Sequence, residues 1–189
     1  MGNFLYFSKM KVFIETEKLI LREIRISDIN GMFELDSNKE VHQYLGNNPI
    51  KTKEEALKNI DFILKQYKER GIGRFAVIEK SSGDFIGWSG LKLNSNKKEA
   101  LNGYANFIDI GYRFIPKYWG KGYGLESAIA CLDFGFKEMN YEIIYGAADV
   151  KNIGSNKILN KIGLQFINEF DYKNVKVNWY ELKKSNYER

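Results

Sequence analysis

Apolar and charged residues alternate from Glu15 to Arg25, through Leu19, Ile20, Leu21, Arg22 and Ile24, which predicts a strand. Ser27-Asp28 then caps a short helix carrying Ile29, Met32, Phe33 and Leu35, and a second helical piece over 39–45 stops at Gly46. Thr52 and Glu55 have the spacing of a capping box. Beyond them Leu57, Ile60, Ile63, Leu64 and Tyr67 recur every three or four residues until Gly71, the clearest amphipathic helix of the chain. The pattern returns to a period of two over 75–79 and 85–93, predicting a hairpin around Ser81-Ser82-Gly83-Asp84, and again over 105–114 after a polar loop at 94–102. Later come a helix over 125–139 with Ala128, Ile129, Leu132 and Phe136 on one face, a strand over 143–149, and a short helix over 155–162 closed by Gly163. Strands over 165–170 and 175–182 turn at Lys173-Asn174. No linker, repeat or low-complexity tract interrupts this order, so the expectation is one α+β domain over 15–189, preceded by an extension over 1–14.

Composition narrows the choice. The chain has 189 residues, 44% hydrophobic and 28% charged, enough apolar surface for a core. Its formal charge of +5 comes from 29 basic and 24 acidic residues spread along the sequence. A nucleic-acid protein usually shows a basic stripe, so nucleic acid is not an expected partner. The single cysteine, Cys131, excludes an internal disulfide and fits a reducing, cytoplasmic setting. No apolar run reaches the roughly 18 residues of a membrane span, and the start lacks the features of a signal peptide. Met10 is an alternative start.

One segment carries chemistry. Trp119-Gly120-Lys121-Gly122-Tyr123-Gly124 joins a predicted strand to a predicted helix with glycine at alternate positions. Glycine lets backbone approach a ligand closely, and the first turn of a helix presents N–H groups without acceptors. Together they make a cradle for an anion, with Lys121 adding charge at the rim. Leu125 stands where a dinucleotide fingerprint needs its third glycine, and the Walker spacing is absent. A tight turn without a ligand is the competing explanation when the loop is taken alone.

The stretch from Asp109 to Gly124, D-I-G-Y-R-F-I-P-K-Y-W-G-K-G-Y-G, resembles the central motif of the GNAT acetyltransferases, most of all the RimJ/RimL-like branch. Trp119 occupies the position of the usual Gln or Arg, a mark of that branch. T-E-K-L-I-L-R from Thr16 to Arg22 resembles the branch's opening strand. Asn152-Ile153-Gly154-Ser155 with Lys161-Ile162-Gly163-Leu164 resembles its ending, Leu164 replacing a usual Phe. The resemblance runs in order from Thr16 to Leu182. It implies a three-layer α/β/α fold with a mixed, mostly antiparallel sheet split between two central strands. It also implies an acetyl-CoA-dependent N-acetyltransferase acting directly on a primary amine, either a protein N-terminus or a small molecule.

The resemblance further implies roles for single residues. The diphosphate of coenzyme A would sit on the amides of Lys121, Gly122, Tyr123, Gly124 and Leu125, in a coenzyme-binding loop that also includes Trp119 and Gly120. The pantetheine arm would pair with the strand edge at Phe114 and Ile115, with Asn152 bonding its amides. The oxyanion donor would be a backbone N–H between Ile110 and Phe114. Asp109 is the candidate base, with a network carboxylate as its alternative role. Ser155 is the candidate partner of the leaving thiolate, because Leu159 stands where many relatives carry a tyrosine; its alternative is to cap the following helix. Glu126 reads as a helix cap, His42 as structural, and Cys131 as a core residue. No metal ligand set is present, and the only cofactor expected is acetyl-CoA as co-substrate. Acceptor specificity is expected in residues 27–71 and 94–103. A non-catalytic acyl-CoA-binding module is the competing function, and both monomer and homodimer remain open.

Overall fold

The computed structural model describes residues 13–187. Its strands are β1 (Phe13–Glu15), β2 (Leu19–Glu23), β3 (Arg74–Glu79), β4 (Phe85–Asn94), β5 (Phe107–Phe114), β6 (Ile143–Asp149), β7 (Gln165–Tyr172) and β8 (Val175–Lys183). The helices are α1 (Ile29–Asp36), α2 (Lys39–His42), α3 (Lys53–Arg70), α4 (Tyr123–Asp133) and α5 (Ile153–Lys161). All eight strands form one sheet in the order β1-β2-β3-β4-β5-β6-β8-β7. Every neighbouring pair is antiparallel except β5 and β6. The expected α+β architecture with a mixed sheet is present. Among the described residues no helix is long and apolar enough to cross a membrane.

Local chemistry explains where the elements differ from expectation. The first predicted strand is a hairpin, because the Thr16 N–H bonds the carbonyl of Leu19 at 3.0 Å and its hydroxyl accepts from the Leu19 N–H at 3.0 Å. Phe13 and Ile14 already pair with Arg22 and Leu21, so the sheet takes in two residues assigned to the extension. The rest of that extension, Met10 included, lies outside the described residues. The helix expected over 125–139 starts two residues earlier, at Tyr123, and ends in a widened π-helical turn over Phe134–Glu138. Gly135 sits in that turn against Leu91 and Ile144, where a Cβ would approach their methyl carbons to 2.5 and 2.8 Å.

Alternation along the strands sends opposite sets of side chains to the two helical layers. Leu19, Leu21, Val77, Ile86 and Leu91 pack with Ala128, Cys131 and Leu132 of α4. On the other face Ala76 packs with Ile24, Met32 and the α3 residues Ala56, Ile60 and Ile63. Cys131 is fully buried, and burial pushes its thiol up to about 12, which removes it as a nucleophile. A smaller aromatic cluster of Phe107, Tyr145 and Trp179 holds the other end of the sheet, with Tyr104 stacked on Trp179 at 5.4 Å.

The capping box ahead of α3 is complete. Glu55 Oε2 accepts from the Thr52 N–H at 3.1 Å, and Thr52 Oγ1 accepts from the Glu55 N–H at 3.4 Å. Thr52→Ala removes one side of this exchange and should lower the unfolding free energy by about 1 kcal/mol. Urea denaturation checks it, as a lower midpoint at an unchanged slope.

Candidate active site

The central strands touch at one point. β5 and β6 register only as Asp109 opposite Tyr145, whereas β5 pairs with β4 all the way from Phe107 to Phe114. Beyond Asp109 the two parallel strands separate and leave one edge of β5 open. Its vacant groups follow from alternation. The Ile115 N–H bonds Ile86 of the β4 side at 3.0 Å, so the groups of Arg113 also face β4, while those of Tyr112 and Phe114 face the opening. The Ile115 carbonyl also accepts from the Tyr118 N–H at 2.9 Å, so both of its backbone groups already have a partner. The Phe114 carbonyl is taken as well, by the indole N–H of Trp119 at 2.7 Å. The edge that remains is both groups of Tyr112 and the N–H of Phe114. The side chains of Phe114 and Ile115 are buried in the core.

The glycine loop follows at the end of this strand. Pro116 begins a tight turn, and Gly120 and Gly122 take φ of +73° and +88°, in the left-handed region that favours glycine. Gly122 caps α4, so Tyr123, Gly124 and Leu125 are the first turn of the helix. Among the described residues none accepts from the N–H groups of Gly120 through Leu125, and no atom lies within 4 Å of a Cβ placed on Gly120 or Gly122. Six successive amides thus lack an acceptor among the described residues, at the positive end of a helix and beside open space at Gly120 and Gly122. Lys121 stays exposed with its Nζ 5.2 Å from the Tyr118 ring. Tyr123 turns inward and donates to Glu79. Glu126 does not cap the helix; its Oε1 accepts from Thr16 Oγ1 at 2.6 Å and from the Lys18 N–H at 2.8 Å, clamping α4 to the β1–β2 turn.

The helix on the far side of the opening starts at Ile153, not at Ser155. Asn152 is its cap, with Oδ1 accepting from the Ser155 N–H at 3.1 Å. The Ser155 hydroxyl is therefore free of capping duty and lies 3.2 Å from the phenol of Tyr112. Leu159 is 1% exposed, and a Cβ on Gly146 would meet its methyl carbon at 2.8 Å, so this position is core.

The opposite face of β5 carries charge. Arg74 reaches across β4, where Gly90 and Gly111 stand opposite each other, and a Cβ on Gly111 would lie 2.8 Å from its Nη2. The guanidinium bonds Asp109 Oδ2 at 2.7 Å, the Asp109 carbonyl at 3.0 Å and the Gly90 carbonyl. Asn94 Nδ2 donates to Asp109 Oδ1 at 2.9 Å. Both oxygens of the expected base are thus engaged. The pair is sheltered, with the Arg74 side chain 11% exposed. Next along β5, Arg113 bonds Asp36 at 2.6 Å, and Asn59 holds the other oxygen of Asp36 at 2.9 Å. The Trp88 ring lies 5.5 Å from the Arg74 guanidinium and 5.1 Å from that of Arg113. The structure therefore joins Ser155 to Asn152 and Tyr112 on one face of β5, and Asp109 to Arg74 and Asn94 on the other. The partners Tyr112 and Arg74 left no periodicity; the register that joins Gly90 to Gly111 is what reveals Arg74.

Three comparisons with known proteins agree with one another. The model of the Acetyltransferase (GNAT) domain matches residues 18–165. The chain is 32% identical over 152 residues to the uncharacterized N-acetyltransferase YnaD of Bacillus subtilis (strain 168), covering 80% of this chain and 82% of that one. Among solved structures it is similar to an acetyltransferase of the GNAT family from Bacillus anthracis, with a TM-score of 0.74 at 25% identity, over 92% and 99% of the two chains. The fold also matches RimL, a ribosomal L7/L12 alpha-N-protein acetyltransferase in complex with coenzyme A. There the TM-score is 0.74 at 17% identity, over 91% of this chain and 98% of that one.

Beside Arg113 and Asp36 lies His42, 7% exposed. Loss of hydration holds its imidazole below the ordinary histidine value, Arg113 adding to the effect and Asp36 opposing it. The unfolded chain then binds this proton more readily than the folded one. The associated stability is complete above about pH 6.5 and is lost as acid protonates the unfolded chain. Glu79, lowered chiefly by the hydrogen bond from Tyr123, titrates below this window. The unfolding free energy should therefore fall between about pH 7 and pH 5, and His42→Gln should flatten that slope. Urea unfolding across the pH series measures both.

Proposed function

The chain belongs to the acetyltransferase (GNAT) family of acetyl-CoA-dependent enzymes, and from that premise we propose that its acceptor is an α-amino group at the end of a peptide or protein. The observation that carries the choice is the engagement of Asp109, the one carboxylate β5 contributes, by Arg74 and Asn94. A lysine-like amine near pKa 10.4 needs about 4–5 kcal/mol to become neutral at pH 7, whereas an α-amine near 8 needs about 1. A site whose carboxylate is already neutralised by a guanidinium suits the amine that gives up its proton readily. Water then carries the proton away, and Asp109 fixes Arg74 over Gly111 instead of acting as the base.

The remaining roles follow from the groups on each side of the opening. Acetyl-CoA supplies the acetyl group as a thioester. The amides of Gly120 through Leu125 receive its diphosphate, with the dipole of α4 adding about 0.3–1 kcal/mol. The open backbone groups of Tyr112 and Phe114 take the place of a missing strand for the pantetheine amides. Asn152 contributes through its amide nitrogen, its oxygen being spent on the cap. The oxyanion falls to a backbone N–H facing the opening, Tyr112 or Phe114. Ser155 offers its hydroxyl to the departing thiolate, whose free pKa near 8.5 asks for a hydrogen bond more than a strong acid.

Thiol release from acetyl-CoA tests the acceptor choice, measured with peptides bearing free N-termini, with Nα-blocked lysine peptides and with polyamines. Free N-termini should give the highest kcat/KM; preference for blocked lysine peptides or polyamines would sink the α-amine reading. Binding of acetyl-CoA without thiol release from any acceptor would favour a non-catalytic acyl-CoA module. Binding itself should raise unfolding free energy by about 2.7 kcal/mol at a hundredfold excess over Kd, visible as a thermal shift.

A further inference from the structure

Two carboxylates stand near the first turn of α4, and both are engaged. Glu79 accepts from the Tyr123 phenol and from Ser82 Oγ at 2.8 Å. Glu126 belongs to the N-terminal end of α4 itself, and the side chains of a helix lean toward its N-terminus. A glutamate so placed can reach the amide three positions before it, the spacing used in a capping box, and here that amide is the Tyr123 N–H. The structure holds the carboxylate elsewhere. Its Oε1 accepts from Thr16 Oγ1 at 2.6 Å and from the Lys18 N–H at 2.8 Å. The single Thr16 hydroxyl proton goes to this oxygen, since the Leu19 carbonyl lies farther off at 3.3 Å. The turn that holds Glu126 is fixed by other bonds. The Lys80 N–H bonds the Lys18 carbonyl at 2.9 Å, and Lys80 Nζ bonds the Thr16 carbonyl and pairs with Glu15 at 2.7 Å. The Leu19 N–H closes the turn on Thr16 Oγ1 at 3.0 Å. The turn therefore restrains the carboxylate more than the carboxylate restrains the turn.

We propose, on the acetyl-transfer reading above, that the β1–β2 turn holds Glu126 clear of the vacant amides of the glycine loop, with Thr16 a positioning residue for acetyl-CoA binding. The clamp guards against a competitor built into the helix. A loose carboxylate at the positive end of α4 is drawn to the same N–H groups that the diphosphate needs, and its charge repels the diphosphate even where it does not occupy them. Clamped, Glu126 gives one oxygen to two donors of the hairpin, and the amides of Gly120 through Leu125 stay without an acceptor among the described residues. Released, it would act as an internal anion and close the cradle. A glutamate here still favours the start of the helix, so the clamp, and not the residue type, decides whether the coenzyme is admitted. The device links two parts of the chain 110 positions apart, and it needs the Thr16 hydroxyl as a donor.

The affinity for CoA, measured by titration calorimetry, separates this device from a plain structural brace, because the two roles give Glu126 opposite signs. Thr16→Val frees the carboxylate and should raise the Kd for CoA roughly fivefold, the size of a strong charge effect at a helix end. Thr16→Ser keeps the hydroxyl and should restore wild-type binding. Glu126→Ala removes clamp and competitor together and should tighten CoA binding about twofold, since even the clamped carboxylate repels the diphosphate through space. In the Glu126→Ala background Thr16→Val should change nothing further. During turnover Thr16→Val should raise KM for acetyl-CoA by the same factor without raising KM for the amine. If Thr16→Val does not fold, Glu126→Ala decides alone, and binding no tighter than in the wild type overturns the device. A folded Thr16→Val with an unchanged Kd overturns it too, as does a Kd that stays raised in the double variant. Weaker binding in Glu126→Ala makes the contact a brace and does the same. Each of these results leaves the coenzyme site standing. A wild type that binds no CoA overturns the acetyl-transfer reading, and the device falls with it.

Discussion

A single register point between two parallel strands organises this molecule. Had β5 and β6 paired along their whole length, the backbone groups of Tyr112 and Phe114 would be spent within the sheet. Because they meet only where Asp109 faces Tyr145, the sheet opens like a hinge held at one end. Two helices on one face flank it: α4 packs on the β4 and β5 side, while α5 rests on β6 through Leu159 against Gly146. An unpaired strand edge is usually a hazard that attracts other chains. Here it lies inside the domain, between two helices and beside a loop of vacant amides. A narrow ligand with its own amides can satisfy it, and another protein's strand has little access.

The charged face of β5 obeys a second constraint. Two opposed glycines, Gly90 and Gly111, leave a hollow in the sheet, and the Arg74 guanidinium fills it. Ion pairs this sheltered seldom add net stability over apolar packing, since desolvation offsets most of the attraction. What Arg74 supplies is a fixed cation and fixed geometry: it ties Asp109, the carbonyl of Gly90 and the Trp88 ring into one unit. Arg113 with Asp36 repeats the arrangement one step toward the glycine loop and connects it to α1. Each guanidinium is matched by a carboxylate, so this face holds its charge in closed pairs.

Much of the architecture was legible in the residue pattern, and the exceptions have physical causes. The α3 helix, the β3–β4 hairpin and the final strand pair announce themselves through periodicity and turn residues, which are local signals. The hairpin of β1 and β2 did not, because its turn depends on the side chain of Thr16 and is held by Glu126, a residue 110 positions away. Glycine spacing marked the join between β5 and α4, and the helix begins two residues earlier than expected, at Tyr123. Side-chain roles were less legible. The family resemblance offers Asp109 as a base, but only the folded structure shows that Arg74 is bonded to it. Ser155 fits a helix cap by residue type, and only the placement of Asn152 frees its hydroxyl.

The two faces of β5 differ in chemistry. One presents charges locked into pairs, Arg74 with Asp109 and Arg113 with Asp36. The other presents neutral hydroxyls, the half-buried Tyr112 phenol beside Ser155. Between them runs the backbone, with groups of Tyr112 and Phe114 turned to the opening. Alternation along a strand makes this separation automatic: Arg113 and Tyr112 are adjacent in sequence yet point into different environments. Reversing the register by one residue would put the phenol among the arginines and a guanidinium among the apolar residues of α4. The single point of contact at Asp109 therefore fixes more than the width of the opening. It determines which side chains share the charged face and which share the face toward α4 and α5.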